Sequence, residues 1–337
     1  MITTLIPLAL AQAAAAQAAG RHAPDARAPT EIVAAAPSAE WVAIRPDDLL
    51  VMDLAPDARG RARRVVVQLV APPFSQGWVA NIRTLARARW WDGLSVNRVQ
   101  DNYVAQWGDA SEKKPLPVGL GKVPEDEYIR DSTLSDIHCY GSKRCSRWDS
   151  PRIEKPWRPD AYAERTGFYA GWPLGGRAPS RAELSALGKA KDGFGLMAES
   201  WPVHCYASVG VGRNLSPDTG TGAELYAVIG HAPRHLDRNI AVVGRVVEGI
   251  EHLSSLPRGT ETLGFYATAE ERTPIRSVRL ASDLPEGERP RFEYLSTEGA
   301  SFAAYADARA NRRDAFFIRP AGGADICNVP VPVRRVK

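Results

Sequence analysis

Trp-Val-Ala-Asn-Ile-Arg-Thr-Leu-Ala-Arg-Ala-Arg-Trp-Trp-Asp-Gly-Leu-Ser-Val-Asn-Arg-Val-Gln-Asp-Asn-Tyr-Val-Ala-Gln-Trp-Gly-Asp, residues 78–109, is the stretch whose reading decides the fold. Trp78, Ile82 and Leu85 recur at helical spacing and share one face, while Arg83, Arg87 and Arg89 fall largely on the other side. The period then shortens to strand-like segments separated by Asp92-Gly93 and Asp101-Asn102, both turn formers. Arg98 and Gln106 sit on those segments beside Tyr103 and Val104. A guanidinium and an amide among apolar neighbours on strands suggest a surface that grips a peptide backbone.

A second block follows in the same order along the chain. It runs Ala223-Glu224-Leu225-Tyr226-Ala227-Val228-Ile229, then Leu236-Asp237, then Val242-Val243-Gly244-Arg245-Val246-Val247-Glu248-Gly249-Ile250. Together the blocks resemble cyclophilin-type peptidyl-prolyl isomerases. Asn81-Ile82 and Leu85 stand in the place of that family's asparagine-phenylalanine helix. Trp91-Asp92-Gly93, Asn97-Arg98-Val99 and Gln106-Trp107-Gly108-Asp109 follow its aromatic-Asp-Gly turn, His-Arg-Val strand and Gln-Gly-Gly-Asp ending. The second block follows its Ser-Gln-Phe-Phe-Ile strand, Leu-Asp-Gly loop and Val-Phe-Gly-Lys-Val-Val-Glu-Gly segment.

The resemblance implies a mainly β fold: a closed, eight-stranded antiparallel barrel of residues 48–285, capped by two helices and interrupted by an irregular insertion at 110–192. It also implies a chemistry. Rotation about an X-Pro bond faces a barrier of roughly 18–20 kcal/mol because of amide resonance. Lowering it needs no nucleophile and no cofactor, only a fixed donor for the prolyl nitrogen lone pair in a water-poor site. Arg98 aligns with the family's catalytic arginine and Gln106 with the glutamine that holds substrate backbone. Tyr103, Val104, Tyr226 and Leu236 align with the proline pocket, and Gly212 with the edge laid against the peptide. The departures are Tyr103 and Tyr226 for phenylalanines, Val104 for methionine, Glu224 for glutamine, His235 near the loop tryptophan and Ile240 for the pocket histidine. A proline-binding scaffold or chaperone without turnover is the alternative these departures leave open. The partners implied are proline-containing polypeptides, met by a monomer.

With 337 residues, 44% hydrophobic and 24% charged, the chain can bury a sizeable core. A net charge of +4 with no basic stripe gives no support to nucleic-acid binding. His-Glu-x-x-His, Gly-x-Ser-x-Gly and P-loop patterns are missing, which removes the common hydrolase and NTPase readings. Residues 1–19 carry an apolar run ending in small residues and read as a secretory signal peptide, although without a basic start. Export to the periplasm is therefore expected, with no membrane span once the signal is removed. Cys139, Cys145, Cys205 and Cys327 make an even set. In an oxidising compartment, pairs Cys139–Cys145 and Cys205–Cys327 are expected. The repeated His138-Cys139-Tyr140 and His204-Cys205-Tyr206 lacks zinc-ligand spacing, so no metal is expected.

Residues 20–47 read as a linker rich in Ala, Pro and Arg, with Trp41 to Pro46 as a possible added strand. Prolines throughout the insertion rule out long regular elements there. Trp148, Trp157, Phe168, Tyr169 and Trp172 are expected to pack it onto the barrel. Pro202 to Gly210 reads as one buried strand. Residues 286–337 read as an extension too short for its own core, docked on the barrel.

Overall fold

The computed structural model of the chain describes residues 26–131, 160–186 and 197–336. The proposed signal segment, Cys139, Cys145, Trp148 and Trp157 lie outside the described residues.

In chain order the elements are α1 (Pro29–Ala34), β1 (Trp41–Ala43), β2 (Leu49–Leu54), β3 (Arg63–Leu69), α2 (Gln76–Arg87), β4 (Ser95–Val99) and β5 (Val104–Gly108). Next come β6 (Arg130–Asp131), β7 (Arg165–Tyr169), β8 (Trp172–Arg177), α3 (Arg181–Ala186), β9 (Glu199–Pro202), β10 (Ser208–Val211) and β11 (Leu225–Val228). The chain ends with β12 (Val242–Glu248), α4 (Glu251–Ser254), β13 (Thr273–Leu280), β14 (Phe292–Leu295), α5 (Ala300–Ala310) and β15 (Val333–Arg335).

Eight strands close into an antiparallel barrel in the order β10-β11-β5-β4-β13-β2-β3-β12. Alternation decides which side chains fill it, because successive strand residues point to opposite faces. Ala105, Trp107, Leu225, Ala227, Val209 and Val211 point inward, to a core shared with Trp78, Ile82 and Leu85 of α2. Indole N–H groups tie that helix and the turn after it to the second sequence block and the loop that leads into it. Trp78 Nε1 donates to the carbonyls of Thr219 (3.1 Å) and Gly220 (3.0 Å), and Trp91 Nε1 to that of Ala223 (2.8 Å). The second capping helix, α4, is only four residues long, shorter than the apolar spacing of Ile250, Leu253 and Leu256 suggests.

Three regions depart from the sequence reading. Pro202 to Gly210 is not one strand. It divides into the ends of β9 and β10, joined by a turn in which Ala207 takes φ +69°. The insertion supplies β6, β7 and β8 to a separate sheet, β6-β9-β8-β7, completed by β9 just beyond it, and Trp172 and Leu174 of β8 reach the barrel core. The chain termini form a second sheet, β1-β14-β15, over a separate core of Ile32, Trp41, Leu295, Phe302, Tyr305, Ala306, Val329 and Val331. Part of the expected linker is thus α1 and β1, and the C-terminal segment has a core because it shares one with the N-terminal segment.

Candidate functional site: a groove across the outer face of the barrel

Val96 and Val99 both point into the barrel, which strict alternation forbids for residues three apart. The conflict is resolved by a β-bulge: Val96 pairs with Trp107, Arg98 pairs with Gln106, and Asn97 is the extra residue. The bulge turns Arg98 to the outer face. There it falls in a row with Gln106, Tyr226 (opposite Gln106 on β11) and Phe265, which bridges to Arg98 from the following loop.

The row lies in a groove of about 720 Å³, also lined by Tyr103, Val104, Gly212, Glu224, Leu236 and Ile240. Arg98 is clamped in it. Its Nε donates to the Leu263 carbonyl (2.7 Å), Nη1 to Gln106 Oε1 (3.1 Å) and Nη2 to Gln100 Oε1. Its guanidinium carbon lies 5.4 Å from the Phe265 ring centroid and 5.8 Å from that of Tyr103. Three of five N–H donors are used and two remain. Burial lowers the Arg98 pKa from the ordinary arginine value, and no carboxylate among the described residues pairs with it. It remains a cation in a partly desolvated site, where one hydrogen bond counts for more than in water.

Beside it, Val104, Tyr226 and Val228 form a small apolar cluster on the outer face, with Tyr103, Leu236 and Ile240 packed around it. This is a concavity suited to one aliphatic ring. Gly212 closes the groove next to Gln106; a Cβ there would lie 2.9 Å from Glu224 Cβ and 3.6 Å from Gln106 Nε2. Glu224 accepts from Gln106 Nε2 at 3.5 Å, and burial raises its pKa against that hydrogen bond. His235 is exposed at the rim, where its ring stacks on Tyr103 with centroids 6.5 Å apart. The structure therefore brings Arg98, Gln106, Tyr103, Val104, Gly212, Glu224, Tyr226 and Leu236 into one groove, with His235 at its edge.

Sequence reasoning missed Phe265 and Leu263, which arrive from a loop with no periodicity, and the polar residues behind Tyr226. Cys205 and Cys327 form a disulfide with Cα atoms 5.1 Å apart. Among the described residues, no cluster of three or more His, Cys, Asp or Glu is placed to hold a metal.

The fold class is therefore a closed antiparallel barrel with a cation and an apolar concavity side by side on its outer face. The sequence pattern of the family described as cyclophilin type peptidyl-prolyl cis-trans isomerase/CLD matches residues 77–281, and the chain belongs to that family. Among solved structures, cyclophilin AquaCyp293 from Hirschia baltica superposes with a TM-score of 0.60 at 23% identity, covering 88% of this chain and 93% of that one. No curated protein matches the chain.

Proposed function

We propose that this cyclophilin-type isomerase accelerates X-Pro rotation in exported polypeptides, with Arg98 as the group that acts on the reacting bond. The observation that carries the reading is the clamped Arg98, with two unused donors beside an apolar concavity. The proline ring seats against Val104, Tyr226 and Leu236, which leaves the prolyl nitrogen facing the guanidinium. As the amide twists, that nitrogen pyramidalises and its lone pair, no longer shared with the carbonyl, becomes localised on it. A donor already fixed in place stabilises it without reorganisation. Gln106 and the Gly212 edge hold the flanking backbone, so the peptide turns about one bond only.

The apolar start of the chain and the Cys205–Cys327 disulfide support a periplasmic location, since disulfides persist in oxidising compartments. Among the described residues no helix is long and apolar enough to cross a membrane. A protease-coupled or NMR-exchange assay on an X-Pro peptide, with fractionation of cells expressing the full chain, tests both parts. Exchange that the protein accelerates is the expected result. Binding without acceleration would favour the proline-binding scaffold, a reading supported by the tyrosines at 103 and 226.

A further inference from the structure

Tyr226 forms the inner wall of the proline pocket, and a buried phenol must place its hydroxyl somewhere. The hydroxyl points away from the groove, over Gly210, where an added Cβ would lie 2.3 Å from the Tyr226 oxygen. Beyond it stands His204, fully buried, with Nε2 at 2.9 Å from the Tyr226 oxygen. Asp237 Oδ1 accepts from both the backbone N–H and Nδ1 of His204, each at 2.9 Å. A carboxylate can only accept, so Nδ1 carries a proton; in the neutral imidazole, Nε2 then accepts from the tyrosine. Asp237 Oδ2 in turn accepts from Arg234 Nε at 2.5 Å, and Arg234 forks onto Asp160 at 2.9 and 3.1 Å.

We infer that His204 is a positioning residue for the proline pocket: through the Tyr226 hydroxyl it holds the ring against the pocket wall and keeps the pocket open. This rests on the groove being the isomerase site. If Nε2 is lost, the phenol has no partner behind the wall. The nearest source of one is water in the groove. Turning the hydroxyl toward it carries the ring into the space the substrate proline needs. His204 touches neither substrate nor reacting bond, so its loss acts on binding and leaves the turnover step, which belongs to Arg98, in place. Asp237 and Arg234 fix the tautomer and the ring plane.

The test uses the full chain and an X-Pro peptide, with kinetics for KM and kcat and an NMR titration for peptide Kd that needs no turnover. His204→Leu is expected to raise KM and Kd about tenfold with kcat within about twofold, the size of one buried hydrogen bond left unmade. His204→Gln, whose amide can still accept from the hydroxyl, is expected to recover most of that loss. In a Tyr226→Phe background, His204→Leu is expected to raise KM and Kd no further, because the hydroxyl through which it acts is gone. Unchanged KM and Kd in His204→Leu, equal defects in the Leu and Gln variants, or independent addition of the His204 and Tyr226 effects would each overturn the proposal. A wild type that binds but does not isomerise would defeat the catalytic reading alone, since the Kd comparison still decides this one. Melting temperatures of all variants separate misfolding from a binding defect, and His204→Gln supplies the comparison if the leucine variant does not fold.

Discussion

Arg98 and Arg234 stand on either side of the proposed proline pocket, Arg98 in the open groove and Arg234 behind the wall that Tyr226 forms. Every acceptor that Arg98 reaches is neutral: the Gln100 and Gln106 amides and the Leu263 carbonyl. The side-chain acceptors of Arg234 are carboxylates, Asp160 and Asp237, with Asp325 at 4.0 Å. Burial lowers the pKa of Arg98. At Arg234 burial pulls the same way, but Asp237 and Asp160 outweigh it and the pKa is raised. A neutral clamp orients a guanidinium while leaving its field unspent, as a group acting on a substrate requires. A carboxylate clamp neutralises the charge within the protein and turns the same side chain into architecture.

The largest expected effect comes from breaking the architectural arginine. Arg234→Ala leaves Asp160 and Asp237 facing each other across a buried gap, and removing one partner of a buried ion pair costs about 3–5 kcal/mol. Chemical denaturation should show that loss, with kcat of the remaining folded protein close to wild type. A variant with wild-type stability but collapsed kcat would erase the distinction between the two arginines. The next effect is the mirror image. Arg98→Ala should reduce kcat/KM on the order of 10²–10³-fold, by analogy with loss of one preorganised oxyanion donor. Its melting temperature should barely move, since no carboxylate is stranded. Arg98→Lys should recover little, because the planar fork that meets Gln106, Gln100 and Leu263 together is lost. Wild-type exchange rates in Arg98→Ala would show that the clamp is structural after all.

The same contrast explains what could be read in advance. The groove side was legible because two ordered blocks, resembling the family's motifs, carry Arg98, Gln106, Glu224 and Tyr226 on or beside neighbouring strands. Pairing then brings them into line. The wall behind it was not. His204 sat in what read as an unbroken strand, Asp160 lies in an insertion without periodicity, and only Arg234 and Asp237, three apart, carried a local sign of pairing. The terminal sheet escaped for a similar reason: β1 pairs with β14 from the other end of the chain, and three-residue strands carry no period of their own.

Glu224 gives the smallest and most selective test, because it is a titratable group on the groove side that Arg98 does not pair with. Its carboxyl sits beside Gln106, and burial raises its pKa more than the Gln106 hydrogen bond lowers it. A raised carboxyl pKa means the folded protein holds that proton more tightly than the unfolded chain. The stabilisation is therefore full below the unfolded glutamate range, about 4.3, and is lost as pH rises through the folded pKa. Glu224→Gln keeps the shape and removes the titration. Its melting temperature relative to wild type should rise between acid and neutral pH, by a few degrees at most, given about 2–4 °C per kcal/mol in a chain of somewhat smaller size. A constant difference across that range would show that folding leaves the Glu224 pKa unshifted, and one of opposite sign that Glu224 is stabilised as the anion. The ionised carboxylate also orders the amide beside it: Gln106 gives its N–H to Glu224 and its oxygen to Arg98. Glutamine at 224 permits either amide orientation, so KM should rise modestly while kcat, assigned to Arg98 in the proposed mechanism, holds. A fall in kcat as large as that of Arg98→Ala would instead make Glu224 part of the chemistry, and the groove would no longer work through a single unneutralised cation.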